Sequence, residues 1–184
     1  MAKPIPMKKK KVVFDEPKPS NDESQAYSIG DSDFHHITEI IDNLCSVMEA
    51  APGSYCMFGE EQLRDHLLSV LNTHYDNATG ETFRNHGKTD ILIPLENHAA
   101  YIAECKCWHG KKKFKDAIDQ LFSYTTWRDT KVSIVIFNKE VKDFGTVLST
   151  IDSYLADIAF GIRREDHSRW KCSIQNDDGR IMHI

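Results

Sequence analysis

The run KVSIVIFN, residues 131–138, sets Val132, Ile134, Val135, Ile136 and Phe137 along one extended segment and leaves it no consistently polar face. A strand with one wet face alternates apolar and polar residues, whereas a strand apolar on both faces has to be covered on both. The chain must therefore supply helices above and below a sheet. Phe34, Ile37, Ile40, Ile41, Leu44, Val47 and Met48 recur at three- and four-residue steps, and Pro52-Gly53 closes that helix. Leu63, Leu67, Val70 and Leu71 stripe a second helix over 59–75, and Ala117, Ile118, Leu121, Phe122 and Thr125 a third over 114–127. A fourth runs from its cap, Asp143, to about residue 159. ETFRN, TDILIPL and AAYIAECKCW read as extended segments, and RWKCSI and GRIMHI as a hairpin turning at NDDG. The order α, α, β, β, β, α, β, α, β, β predicts an α/β fold, a mixed β-sheet flanked by helices.

Residues 1–32 are rich in Pro, Lys, Ser and Asp, and MKKKKVVF is their one strand-like piece. They read as an extended arm ahead of a single domain over 33–184. The 184 residues suffice for a substantial core, and 40% hydrophobic with 28% charged residues is ordinary for a globular chain. No apolar run approaches the ~20 residues of a membrane span, and the lysine-rich start lacks a signal peptide's apolar stretch, so the expected location is cytoplasmic, without a membrane partner. Five cysteines without framework spacing read as reduced thiols.

The segment YIAECKCW contradicts its own surroundings. Glu104 and Lys106 stand two apart in an otherwise apolar strand, so both charges share one face. Charges placed there are costly unless something compensates them. Asp90 begins the apolar strand expected to pair with this one, with thirteen residues between it and Glu104. Two adjacent strands can bring Asp90 and Glu104 together as oxygen ligands for Mg²⁺, which takes carboxylates and fills its remaining positions with water and phosphate oxygens. Lys106, beside them, can orient or deprotonate an attacking water. The alternative is a salt bridge on an exposed sheet face, which explains the Glu–Lys pair but not the third charge.

The net charge of −5 argues against a general polyanion binder. Yet KCWHGKKKFK, from Lys106 to Lys115, holds five lysines and no acid, a local face suited to phosphate. Lys111, Lys112, Lys113 and Lys115 are its candidate backbone contacts, and Lys88, two before Asp90, is another. Each also fits a solvated surface. Cys105, Cys107 and His109 invite a zinc reading, but the spacing is Cys-x-Cys and a fourth ligand is missing, so small buried thiols explain the pair better. His35-His36 reads as surface. His86 beside Arg84 could touch nucleic acid or simply occupy a loop.

Asp90 with Glu104-Cys105-Lys106 resembles the restriction-endonuclease-like, or PD-(D/E)xK, nuclease superfamily, with Thr89 in place of the proline before the aspartate. The likeness covers about residues 58–138, in the order helix, three strands, helix, strand. It implies a restriction-endonuclease-like core (αβββαβ), to which this chain adds an N-terminal helix and a C-terminal β-hairpin. It also implies Mg²⁺, with Mn²⁺ as a substitute, held by Asp90, Glu104 and the backbone carbonyl of Cys105. A further acid on the preceding helix is a feature of many members. Here Glu60 shares a side with Leu63, Leu67 and Leu71 and is preferred to Glu61, though either could be an acid favoured by the helix N-terminus. Gln120 and Tyr124 resemble a Gln-x-x-x-Tyr element of some exonuclease lineages, where it supports the site or DNA, which implies a nucleic-acid contact for Gln120. They fit equally a tyrosine closing the core beside an exposed glutamine.

The resulting expectation is a metal-dependent deoxyribonuclease, endonuclease favoured over exonuclease, working as a homodimer or higher oligomer. By analogy, a regulatory domain or partner would control it, as in bacterial antiviral defence. The competing expectation is a catalytically silent nucleic-acid-binding or assembly module with the same fold.

Overall fold

The computed structural model describes residues 9, 29–84, 87–94, 100–126, 129 and 131–184. The expected 1–32 arm, His86 and the loop at 96–98 fall wholly or largely outside the described residues. Helix α1 spans Asp31–Ala50, followed by one turn, α2 (Pro52–Tyr55), and then α3 (Glu60–His74). Strands β1 (Thr82–Arg84), β2 (Gly87–Thr89), β3 (Ile91–Pro94) and β4 (Ala100–Cys107) lead to α4 (Lys111–Tyr124) and β5 (Val132–Phe137). The chain closes with α5 (Phe144–Ile158), β6 (Ala159–Arg164), β7 (Trp170–Gln175) and β8 (Ile181–His183). No helix among the described residues is long and apolar enough to cross a membrane.

The fold is mixed α/β, with β4 at the centre of a three-stranded sheet. It pairs antiparallel with β3 and parallel with β5, in the order β3-β4-β5. Period-two alternation then divides the side chains. Ile91, Ile93, Tyr101, Ala103, Cys105 and Phe137 pack under α1 and α3 with Ile37, Leu67 and Leu71. On the opposite face Leu92, Ile102 and Val132 meet Leu121 of α4 and Met182 of β8. Ile134 and Ile136 lie against the cluster that joins α4 to α5 through Phe114, Ile118, Val147 and Ile151. The doubly apolar β5 is thus covered on both faces, as its sequence requires.

Three elements depart from expectation. Thr82–Arg84, from ETFRN, and Gly87–Thr89 pair antiparallel as a separate two-stranded sheet, β1–β2, in register Thr82↔Thr89. Residues 159–164, expected only to end a helix, form β6, so the C-terminal hairpin is a three-stranded antiparallel sheet, β6-β7-β8. Its first strand carries Gly161 in the left-handed region (φ 63°) where the register shifts against β7. That bulge breaks the alternation by which a strand is recognised. Helix α4 begins at Lys111, not Phe114, because the Gly110 backbone (φ 89°) turns sharply out of β4 and lets the Phe114 N–H reach the Gly110 carbonyl at 3.2 Å.

Asp143 caps α5 as expected: its carboxylate accepts from the Thr146 hydroxyl at 2.7 Å and from the Thr146 N–H at 3.4 Å. The NDDG turn is present, with Gly179 at φ 86°. His36 is not a surface residue: half-buried, it hydrogen-bonds the Tyr75 hydroxyl and lies edge-on to His74.

Candidate active site

Strand β4 is longer than its partner. Ile91 pairs with Ala103, so β3 ends where Glu104–Cys107 begin, and β4 continues with an open edge on that side. Two carboxylates complete this edge. The Cys105 N–H donates to Asp90 Oδ2 at 2.8 Å, and the Cys107 N–H donates to Glu60 Oε2 at 2.7 Å. Asp90 occupies the bend between β2 and β3, and Glu60 is the first residue of α3. One strand edge therefore orients two acids from two separate elements.

Glu104 and Lys106 share a face of β4, as alternation predicts. The Lys106 ammonium lies 2.7 Å from Glu104 Oε1, 3.3 Å from Glu60 Oε1 and 3.7 Å from Asp90 Oδ2. Glu104 is only 2% exposed. Its burial and then the neighbouring Asp90 raise its pKa to about 7, against the smaller opposing effect of Lys106. Burial disfavours the charge on Lys106, but Glu104, Asp90 and Glu60 outweigh it and raise the ammonium's pKa. Glu61, by contrast, is exposed and touches none of these groups.

Arg64, one helical turn after Glu60, was not foreseen. It is 7% exposed, and its guanidinium lies 3.7 Å from Asp90 Oδ1 and 3.2 Å from Glu81 Oε1. Glu81 adopts a left-handed backbone (φ 48°), unusual for a residue with a side chain, and its other carboxylate oxygen lies 3.6 Å from Lys88. The preceding Gly80 passes so close to Leu68 and the Asp90 carbonyl that a Cβ would stand 3.0 Å from Leu68 Cδ2. A signal for Arg64 was present: it adjoins Leu63 on the buried side of α3, the same anomaly of charge among apolar residues that marks Glu104.

The remaining candidates divide. Lys111 lies 3.7 Å from Asp157 and over the Tyr154 ring, Lys113 4.0 Å from Asp116, and Lys115 pairs with Asp119. With Lys112 they form an exposed row on α4. Lys88 is bound into the Glu81 pair rather than free over the site. Gln120 is exposed, and the side chain of Tyr124 lies outside the described residues. All five cysteines are free thiols. Cys105 is buried in the core under α1 and α3 with Cys107 against it, while His109 is turned outward 3.8 Å from Glu140.

Two buried or half-buried carboxylates on hard oxygen chemistry fit a divalent ion that keeps waters. Among the described residues, however, no three Asp, Glu, His or Cys side chains form a complete metal cage. The fit is to a partly hydrated ion such as Mg²⁺, for which one or two carboxylates suffice. Comparison with family models, with curated proteins and with solved structures finds no match to this chain.

Proposed function

We propose that the chain is a metal-dependent nuclease hydrolysing phosphodiester bonds, with DNA as the favoured substrate and a restriction-endonuclease-like arrangement of α3, β3, β4, α4 and β5. The observation that carries this reading is the convergence of Glu60, Asp90 and Glu104 on Lys106 at the open edge of β4. A lone structural salt bridge needs one acid, not three from three elements.

In this reading Asp90 and Glu104, with the Cys105 carbonyl as the family resemblance implies, hold Mg²⁺ or Mn²⁺. The bound ion would lower the pKa of a water and offset charge on the phosphate. Lys106 positions that water, and Glu60, fixed by the Cys107 N–H, keeps Lys106 pointed at it. Arg64 holds Asp90 from the side away from Lys106. The α4 lysines grip backbone phosphates without reading sequence.

Incubating the protein with linear and circular duplex DNA in Mg²⁺, Mn²⁺ or EDTA, beside a Lys106→Ala variant, tests this. Metal-dependent cutting by the native chain and its loss in the variant are expected, with circular DNA opened as well. A second reading, a silent nucleic-acid-binding module, draws on the charge balance already present around Lys106. It expects binding without cutting, unchanged by Lys106→Ala.

A further inference from the structure

Of the three acids around Lys106, Asp90 is held most loosely by cations. Its Oδ1 faces the Arg64 guanidinium at 3.7 Å and its Oδ2 faces the Lys106 ammonium at 3.7 Å, both beyond hydrogen-bond distance. Each cation is committed elsewhere. Lys106 lies 2.7 Å from Glu104 and 3.3 Å from Glu60. Arg64 donates from Nη1 to Glu81 at 3.2 Å, and from Nε and Nη2 to Asp65 at 3.1 and 2.9 Å. The same Nη1 is the atom that faces Asp90, so Glu81 and Asp90 compete for it.

The segment that carries Glu81 is fixed against the site. Thr79 exchanges two backbone hydrogen bonds of 2.8 Å with Leu92 of β3. The Gly80 backbone then passes so near that a Cβ would meet Leu68 Cδ2 at 3.0 Å and the Asp90 carbonyl at 3.4 Å. Glu81 follows in the left-handed conformation, φ 48°, which a residue with a Cβ keeps only where its surroundings impose it. Strain of this kind gathers at functional sites, and its product here is a carboxylate aimed at Arg64, with Lys88 at 3.6 Å on its other oxygen. The Arg64 side chain is 9% exposed and has little access to solvent. With Nε and Nη2 engaged by Asp65, the loss of Glu81 leaves Nη1 one acid within reach, Asp90. A guanidinium hydrogen-bonded to Asp90 would occupy its lone pairs and cancel the charge that a divalent ion needs.

Resting on the reading of Asp90 as an ion ligand, we propose that Glu81 is a positioning residue: it draws Arg64 to itself and keeps the guanidinium from neutralising Asp90, which stays available to a divalent ion. At 3.7 Å Arg64 orients Asp90 without taking its lone pairs, the part that a ligand's outer partners play in tuning a metal site.

Mn²⁺ binding to the full chain without substrate, followed by electron paramagnetic resonance of the unbound ion, tests this. Glu81→Gln keeps the length and shape of a side chain that is 48% exposed, and should weaken Mn²⁺ binding about tenfold. The substitution also removes a negative charge near the ion, and two measurements separate that general attraction from the action through Arg64. In an Arg64→Gln background, Glu81→Gln should leave Mn²⁺ affinity within about twofold, whereas an undiminished loss there would overturn the proposal. Raising NaCl from about 0.05 to about 0.5 M screens distant charges but not a guanidinium in contact, so the loss in the single variant should persist. Its disappearance would count equally against the proposal, and that measurement needs no Arg64 variant to fold. Equal affinity of the native chain and Glu81→Gln would sink the role of Glu81 and leave the metal site standing. A native chain that binds no Mn²⁺ would instead remove the reading of Asp90 on which the proposal rests.

Discussion

Glu104 cannot be ionised at little cost where it stands, because it is buried and faces Asp90. Its folded pKa near 7 exceeds the ordinary value of 4.5, so the unfolded chain releases this proton first as pH rises. Between these values the native state binds more protons, and stability falls with increasing pH. The contribution is whole below about pH 4.5 and lost by the time pH has passed 7. Chemical denaturation in EDTA should therefore show native stability declining across that window by on the order of 1–3 kcal/mol more than a Glu104→Gln variant does. Parallel curves for the two proteins would contradict it. For the reaction, Lys106→Met should reduce cutting by about a hundredfold or more while leaving DNA affinity within severalfold, since it removes a group acting on the reacting water. Single-turnover rates and filter binding separate the two.

Among elements, helix α5 depends on one cap. Asp143→Ala leaves its first turn without the Thr146 contacts and should cost about 1 kcal/mol, measurable by urea denaturation. Leu67, fully buried between α3 and the sheet, should cost about 2–5 kcal/mol as alanine and loosen the seat of Glu60. What could be read in advance follows from how far the causes lie apart in sequence. The faces of α1, α3 and α4 follow from three- and four-residue spacing, and the covering of β5 from its own composition. Glu104 and Lys106 stood out because charge inside a strand is a local contradiction. The β6 strand was hidden by its bulge at Gly161, and the contacts of Arg64 with Glu81 and Asp90 by the distance in sequence that only the fold closes. The Cys105–Asp90 and Cys107–Glu60 hydrogen bonds depend on β3 stopping short of β4, a register no single segment encodes.

Across the whole molecule, a ligand that binds only the folded chain must raise its melting temperature by mass action. Mg²⁺ or Mn²⁺ at one hundred times its dissociation constant should add about 2.7 kcal/mol, which for a chain of this size is roughly 5–11 °C. An Asp90→Ala variant should show no such rise in scanning calorimetry, and a native chain indifferent to both ions would remove the metal from the site. The separation of 47 positions in sequence between Glu60 and Cys107 carries a further implication. Glu60 reaches β4 only when α3 has docked across the sheet, and Asp90 only when β3 has paired. A chain with either step incomplete holds the same residues and no assembled site. Any chemistry performed there is consequently withheld from every partly folded form and begins only with the last docking, so the fold acts as its own safety catch.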